Sequence, residues 1–281
     1  MLKIREVSDK KELIDLYRPK EIVEKYEEYR FFSFYGILSN LLEREIFFTI
    51  LKNTSEKDVI LEVATGTGRL TRGIQVPYLG IAIDTSFEML RFAKSKSFSE
   101  NWHFVQANGF KIPFADNSVS LIVTFRLLRH LTNVDRIQIL SEFNRILKKD
   151  GIILFDMPNP NRPFIGKIIE KIFFNMLLLY NLIIKKNSIN SKVYDDNENK
   201  YNVINELKKT GFNIENIFNV GNYYSIEVIL DYLTILPAIS KLTRKISNPL
   251  INRFYMKEKL KLNDDRSNPK DFIFYCRKEK N

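Results

Sequence analysis

The stretch LEVATGTGRL, Leu61 to Leu70, constrains the fold of this chain more than any other. The short apolar run DVILEVA leads into it and predicts a buried parallel strand. Gly66 and Gly68 let the backbone turn sharply and approach a ligand closely. RLTRGIQ then predicts the start of a helix, whose N-terminus offers free N–H groups to an anion or a polar ligand. The stretch therefore predicts a strand, a loop and a helix that together hold a polar ligand.

Two common ligand classes fit this loop poorly. A phosphate-binding P-loop requires a Lys and a Ser or Thr after its second glycine, but Arg69 and Leu70 follow Gly68. A dinucleotide loop requires a third glycine for close packing of helix on strand, and Thr71 stands in that place. The residues thus exclude a nucleoside triphosphate and weigh against NAD.

Strand and helix patterns alternate beyond the loop. Strands are predicted by YLGIAID, WHFVQA, SVSLIVTFR, IILFDM and DFIFYCRK; helices by SFEMLRFAKSKS and NVDRIQILSEFNRILKKDG; and a helix, a glycine and a strand by YNVINELKKTGFNIENIFNV. We expect Ser86 to cap the first of these helices and Gly151 to end the second. This alternation is typical of α/β proteins and predicts a doubly wound, mostly parallel sheet of seven strands.

The rest of the chain adds helical segments to this core. We expect an N-terminal helical lid over 1–53, the core over 54–157, a helical insertion over 158–200, a continuation of the core over 201–220, a second helical insertion over 221–270 and the last core strand over 271–281. Charged residues such as Lys167 and Glu170 interrupt the apolar run of the first insertion. We therefore predict an amphipathic helix there and no membrane span.

The composition narrows the function classes. A net charge of +10 favours anionic partners, although general lysine usage accounts for it equally well. The single cysteine excludes a disulfide framework, and with only His103 and His130 a metal site is not expected. The charged start MLKIREVSDKKEL is unlike a signal peptide. We expect a cytoplasmic protein that can also touch a membrane surface.

Several blocks resemble the class I methyltransferases that depend on S-adenosylmethionine (SAM), over about Val59 to Asp156. EVATGTG resembles the acidic-x-G-x-G-x-G loop of this family, with Ala64 in place of its first glycine. GIAIDTSFEML, VQANGFKIPF and SEFNRILKKDGIILF resemble its later motifs, and NELKKTGF and the final strand do so more loosely. The resemblance implies a Rossmann-like methyltransferase fold, SAM as methyl donor and S-adenosylhomocysteine as product.

The resemblance also implies a set of cofactor-binding residues. Glu62 is the acid expected near the methionine end of SAM, and Asp84 closes the second strand, where a carboxylate accepts both ribose hydroxyls. Asn108 replaces the usual acid at the adenine, and its amide oxygen can still accept a hydrogen bond. The full set is Glu62, Ala64, Thr65, Gly66, Gly68, Asp84, Thr85, Met89, Asn108, Gly109, Phe110 and Phe125.

Candidates for the acceptor side are fewer. His130 suits a general base for a hydroxyl acceptor, because imidazole titrates near neutral pH; a structural histidine is the alternative. Tyr29 and Tyr35 of the lid are candidates for substrate contact. Arg126 and Arg129 either bind an anionic substrate or are simply solvated.

The leading hypothesis is methyl transfer from SAM to a small-molecule or lipid-like acceptor held under the helical cap. An RNA methyltransferase is an alternative that the charge favours, but the chain has no recognisable RNA-binding module, and nucleic acid is disfavoured. A catalytically silent SAM-fold binding protein is the third hypothesis. The apolar insertions leave open an acceptor pocket, a membrane-peripheral face and a homodimer interface.

Overall fold

The computed structural model of the chain describes most of the core and part of the helical additions. The described residues are 5–7, 20, 23, 26–27, 34–96, 100–161, 168, 172, 191–193, 200–222, 251–259, 261–264 and 269–279. Tyr29 and most of both insertions lie outside these ranges, so the predictions made for them stay predictions. Helices that could span a membrane are not found in the part of the chain that the structure describes.

Nine strands and four α-helices have defined bounds within the described residues. In chain order they are β1 (Arg5–Val7), α1 (Phe34–Leu51), β2 (Val59–Val63), β3 (Leu79–Asp84), α2 (Phe87–Lys94), β4 (Trp102–Gln106), β5 (Val119–Thr124), α3 (Asn133–Ile146), β6 (Leu147–Pro158), β7 (Ser191–Val193), α4 (Lys200–Lys209), β8 (Phe212–Val220) and β9 (Asp271–Lys278). A short 3₁₀ turn, Leu128–His130, lies between β5 and α3.

Seven strands form the main sheet in the order β4-β3-β2-β5-β6-β9-β8. Strands β4, β3, β2, β5 and β6 are parallel, and β9 runs antiparallel to both β6 and β8. The prediction of a doubly wound, mostly parallel α/β sheet is confirmed. Two further short strands, β1 and β7, pair in parallel as a separate sheet that the sequence patterns did not predict.

Apolar residues are buried on both faces of the main sheet. Ile139 and Phe143 of α3 and Leu207 of α4 belong to one apolar cluster, and Leu38 and Phe47 of α1 belong to the other. A parallel sheet covered on both sides needs strands that are apolar at nearly every position. This explains why β2 is a continuous apolar run interrupted only by Glu62.

The segment after the glycine loop differs from its prediction. Residues 66–73 form successive turns and not the start of a helix. Gly68 and Gly73 both have φ of +70°, in the left-handed region, which interrupts a right-handed helix. The guanidinium of Arg44, on α1, donates hydrogen bonds of 2.7–2.9 Å to the carbonyl oxygens of Arg69, Leu70 and Arg72. Acceptors that a helix would satisfy internally are thus satisfied by a side chain from another element.

The prediction that Gly151 ends α3 is also wrong. The helix ends at Ile146, and Leu147 already has the extended backbone of β6. The register between β5 and β6 then shifts, and Asp150 has φ of +61°, as at a β-bulge. A Cβ on Gly151 would lie 2.8 Å from the carbonyl oxygen of Lys148. The glycine therefore serves a close backbone approach inside the bulge.

Candidate functional site

A cavity lies at the carboxyl edge of the parallel strands, where β2, β3 and β5 end. This edge is the usual binding position in an open α/β sheet. The cavity encloses about 970 Å³ of empty space when the part that opens to solvent is counted. The predicted cofactor residues that line it are Ala64, Gly66, Asp84, Thr85, Met89, Asn108, Gly109, Phe110 and Phe125.

The loop keeps a glycine-like backbone where the first glycine of the motif is missing. Ala64 has φ of +56°, in the left-handed region that glycine favours, and Gly66 has φ of +54°. The N–H of Thr65 donates to the carbonyl oxygen of Ile83 at 3.0 Å, so the loop is anchored on β3. Ala64 and Gly66 therefore both line the cavity in spite of the substitution.

Glu62 lies on β2, just before the loop, and is not among the residues that line the cavity. It is 4% exposed, and its Oε2 accepts hydrogen bonds of 2.6 Å from the hydroxyls of Thr65 and Thr71. Burial raises the pKa of Glu62 to about 7, against the effect of these two hydrogen bonds. Thr65 and Gly68 do not line the cavity either. A contact between Glu62 and the methionine end of SAM stays a prediction.

Asp84 lies at the end of β3 and lines the cavity. Its Oδ2 accepts a hydrogen bond from the N–H of Gly66 at 2.9 Å, and its Oδ1 accepts one from the N–H of Ser86 at 2.8 Å. Burial raises the pKa of Asp84, although these backbone N–H groups favour the ionised form. The N–H of Thr85 contributes as well. An ionised carboxylate that lines the cavity accepts hydrogen bonds only, so the group suits the hydroxyls of a ribose.

Asn108 and Gly109 form a tight turn on the far side of the cavity. The Oδ1 of Asn108 accepts a hydrogen bond from the N–H of Phe110 at 3.0 Å and keeps one lone pair for an amino donor. A Cβ on Gly109 would lie 3.0 Å from Ile139 and 3.1 Å from Val63. A side chain at this position would therefore crowd the wall of the cavity.

Helix α2 begins as predicted. The hydroxyl of Ser86 accepts a hydrogen bond from the N–H of Met89 at 3.3 Å, which is an N-cap. Both residues are buried, and both line the cavity. The cap thus positions the wall that follows Asp84.

Arg126 follows β5 in a strained conformation. Its φ is +66°, and its N–H donates to Oδ1 of Asp156 at 2.6 Å. Arg126 lines the cavity, and its guanidinium is paired with Glu43 at 3.0 Å. The interpretation of Arg126 as a simply solvated residue is therefore wrong, and its charge is largely compensated.

Arg129 and Tyr35 are buried and do not line the cavity. The guanidinium of Arg129 binds Asp156 and, at 2.9 Å, Asp271, and the hydroxyl of Tyr35 donates to Asp271. Burial opposes ionisation of Asp271, but the charges of Arg129 and Arg126 hold its pKa at about 2. The interpretation of Arg129 as a simply solvated residue is thus also wrong. Arg129 and Tyr35, both predicted to contact the substrate, belong to a buried ionic network that does not line the cavity.

His130 lines the cavity at the end of the 3₁₀ turn. The backbone N–H of His130 donates to the carbonyl oxygen of Leu127 at 3.0 Å. The carbonyl oxygen of the next residue, Leu131, accepts a hydrogen bond of 2.7 Å from the guanidinium of Arg136. Tyr26 lines the same cavity and was not among the predicted site residues. Within the described ranges, no group of three or more metal-ligating side chains is close enough to hold an ion.

Comparisons with known proteins identify relatives of this chain. The family model of a methyltransferase domain matches residues 61–155. An uncharacterised protein of Methanocaldococcus jannaschii is 30% identical over 190 residues, which cover 64% of this chain and 70% of that protein. The ubiquinone/menaquinone biosynthesis C-methyltransferase UbiE of Hahella chejuensis is 29% identical over 138 residues, which cover 46% of this chain and 55% of the enzyme. The chain thus spans about half the length of the UbiE enzymes it matches.

Solved structures share the fold. Magnesium protoporphyrin IX methyltransferase of Synechocystis PCC 6803 with bound S-adenosylhomocysteine has a TM-score of 0.58 at 9% identity, with 96% of this chain and 100% of that chain covered. Phosphoethanolamine N-methyltransferase 2 of Haemonchus contortus in complex with SAM has a TM-score of 0.56 at 16% identity, with 93% and 58% covered. A methyltransferase of Haloferax volcanii in complex with the Trm112 activator has a TM-score of 0.55 at 15% identity, with 95% and 98% covered.

The fold is that of an α/β protein, and its cavity lies at the carboxyl edge of the sheet, where such folds bind their ligands. Together with the family model and the relatives, they show that the chain belongs to the class I SAM-dependent methyltransferases. Its cofactor is SAM, and S-adenosylhomocysteine is the product.

Proposed function

We propose that SAM occupies the part of the cavity lined by Gly66, Asp84 and Asn108, and that the acceptor enters beside Arg126 and His130. The observation that carries this proposal is that a single cavity is lined by both sets of residues. The carboxylate of Asp84 suits the ribose hydroxyls, and the amide oxygen of Asn108 suits the adenine amino group. Methyl donor and acceptor would then meet without leaving the cavity.

We propose further that the acceptor is a small molecule with an apolar, lipid-like body. The wall between β5 and α3 is mainly apolar, with Phe125, Leu127 and Leu131 beside the polar groups of Arg126 and His130. Such a wall suits a compound that has one polar end and an otherwise apolar surface. The relative UbiE is a C-methyltransferase of ubiquinone and menaquinone biosynthesis, which makes quinone-like compounds the first acceptors to test.

The chain has a limited chemical task in this scheme. Bound SAM supplies a methyl group that is already activated by a positively charged sulfur. The cavity residues bind both partners, orient them and exclude water, and this alignment alone lowers the barrier substantially. His130 would accept the proton of a hydroxyl acceptor, since it lines the cavity at the end proposed for the acceptor.

Replacement of Asp84 tests the position of SAM. Asp84→Asn removes the charge that would bind the ribose hydroxyls, and hydrogen bonds to a charged group contribute about 1.5–3 kcal/mol each. We expect the Kd for SAM, measured by isothermal titration calorimetry, to rise about 100-fold. The matched control is Asp58→Asn, because Asp58 precedes β2 at the opposite edge of the sheet. Equal affinities of the wild type and the Asp84 variant would refute the placement.

The acceptor class is tested by methyl transfer from labelled SAM into fractionated cell extract. We expect label in the organic fraction and its loss with Asp84→Asn. The net charge of +10 favours RNA as a second candidate. RNA binding whose affinity falls steeply with salt, together with label in the nucleic-acid fraction, would support that alternative. Binding of SAM with no transfer to any fraction would favour a silent binding protein.

A further inference from the structure

An ion pair connects the N-terminal additions to the segment that follows the glycine loop. Glu27, a helical residue, binds Arg72 through both carboxylate oxygens, with one contact of 3.2 Å and a shorter second one. The two side chains are 26% and 28% exposed, so solvent reaches the pair only in part. A bidentate contact between guanidinium and carboxylate fixes direction as well as distance.

Arg72 is itself attached to the glycine loop. Its Nη2 donates to the carbonyl oxygen of Thr67, between Gly66 and Gly68, at 2.9 Å. Its own carbonyl oxygen accepts a hydrogen bond of 2.9 Å from Arg44. A carboxylate that binds Arg72 is therefore connected to the cofactor loop through one side chain.

Glu27 shares a helix face with a residue of the cavity wall. Val23, Tyr26 and Glu27 are helical and follow the i, i+3, i+4 spacing that places side chains on one face. Val23 is buried, Tyr26 lines the cavity and Glu27 binds Arg72. One face of this helical segment thus combines an apolar anchor, a cavity residue and an ion pair.

The pair stays ionised at neutral pH. Burial alone would raise the pKa of Glu27, but hydrogen bonding and the positive charge of Arg72 together outweigh burial and lower it. Lys96 adds a further favourable charge. The attraction is therefore present under the conditions in which the enzyme binds its cofactor.

We propose that Glu27 and Arg72 are positioning residues for cofactor retention. The ion pair holds Tyr26 against the cavity, and the cofactor dissociates at the rate at which this contact breaks. The proposal rests on the proposed position of SAM between Gly66 and Asp84. Because the pair is partly exposed, salt weakens it, and dissociation of the cofactor becomes faster at high ionic strength.

The test measures dissociation of S-adenosylhomocysteine from the immobilised full-length chain by surface plasmon resonance. Glu27→Gln keeps the shape of the side chain and removes its charge, and we expect dissociation to become about 5- to 10-fold faster. Glu27→Asp keeps the charge at a shorter reach, and we expect an intermediate rate. The matched control is Glu215→Gln, because Glu215 forms an exposed pair with Arg277 away from the cavity.

A double-mutant cycle separates positioning from a general loss of structure. Tyr26→Ala should accelerate dissociation to a similar degree. The double variant with Glu27→Gln should dissociate less than twofold faster than either single variant, because both changes remove the same contact. Fully multiplicative effects of the two changes would overturn the proposal. A Glu27→Gln rate within twofold of the wild type, while Asp84→Asn raises the Kd about 100-fold, would also overturn it. Unchanged binding in Asp84→Asn would instead refute the placement of SAM.

Discussion

Glu62 makes the stability of this enzyme depend on pH in an unusual direction. The side chain is 4% exposed, and the hydroxyls of Thr65 and Thr71 donate to one of its oxygens. Burial raises its pKa to about 7 from an ordinary value of 4.5. Replacement by Gln keeps an oxygen that accepts both hydrogen bonds and removes the ionisation.

The sign and size of the effect follow from proton linkage. The folded chain binds the Glu62 proton more tightly than the unfolded chain does, so this group stabilises the fold fully below about pH 4.5. That contribution is lost as the pH rises through about 7, and it stays lost above that. The difference between about 7 and 4.5, at about 1.36 kcal/mol for each pH unit, amounts to about 3 kcal/mol.

Urea unfolding at pH 5 and pH 8 measures this effect. We expect the free energy of unfolding of Glu62→Gln, measured relative to the wild type, to be about 2–3 kcal/mol higher at pH 8 than at pH 5. Other groups titrate in both proteins alike, so the difference between the two proteins isolates Glu62. The reasoning would be refuted if that difference were the same at both pH values.

Glu142→Gln is the control for the sign. The hydrogen bond with Arg145 lowers the pKa of Glu142, so its contribution is present above about pH 4.5 and is lost only as the pH falls below it. The difference between wild type and Glu142→Gln should therefore stay flat between pH 5 and pH 8. If this difference changed between pH 5 and pH 8, any replacement of Glu by Gln would produce the effect, and burial of Glu62 would not be its cause.

Two stability predictions concern other parts of the fold. Ala64→Gly should stabilise the chain by about 1 kcal/mol, because φ at this position is +56° and glycine adopts it without strain. Ala82→Gly, in the buried strand β3, should destabilise the chain instead. Equal shifts of the two variants in urea unfolding would contradict this prediction. Arg136→Met should cost about 3–5 kcal/mol, because it leaves Glu206, 2% exposed, without its ion-pair partner. The double variant Arg136→Met with Glu206→Met should recover most of this loss. A loss of unfolding free energy in the double variant equal to the sum of the two single losses, again in urea unfolding, would contradict this prediction.

The features that the sequence predicted well are those that local chemistry determines. The bounds of β2 and β3 follow from apolar runs, and Asp84 follows from its place at the end of the second run. The cap at Ser86 depends only on the residues beside it. Such features need no knowledge of distant parts of the chain.

The features that escaped prediction depend on distant partners. Arg129 pairs with Asp271, which is 142 residues away, and no local pattern connects the two. The turns after Gly68 depend on Arg44, which a helical pattern presents only as an ordinary charged residue of α1. The contact of Tyr26 with the cavity likewise depends on how its helix packs. In each case tertiary contacts, which no local sequence pattern reveals, determine the structure.

The glycine loop departs from its family motif at Ala64 and from a dinucleotide loop at Thr71, and the structure explains both residues. Ala64 adopts the left-handed backbone for which the family uses glycine, and Thr71 donates its hydroxyl to the buried carboxylate of Glu62. A glycine at position 71 would leave that carboxylate with one hydrogen bond fewer in a site where burial already disfavours its charge. Ala64 therefore keeps the backbone conformation that the family motif requires, and Thr71 helps to satisfy the buried acid of the loop. The chain thus keeps the cavity without the full glycine pattern of the family.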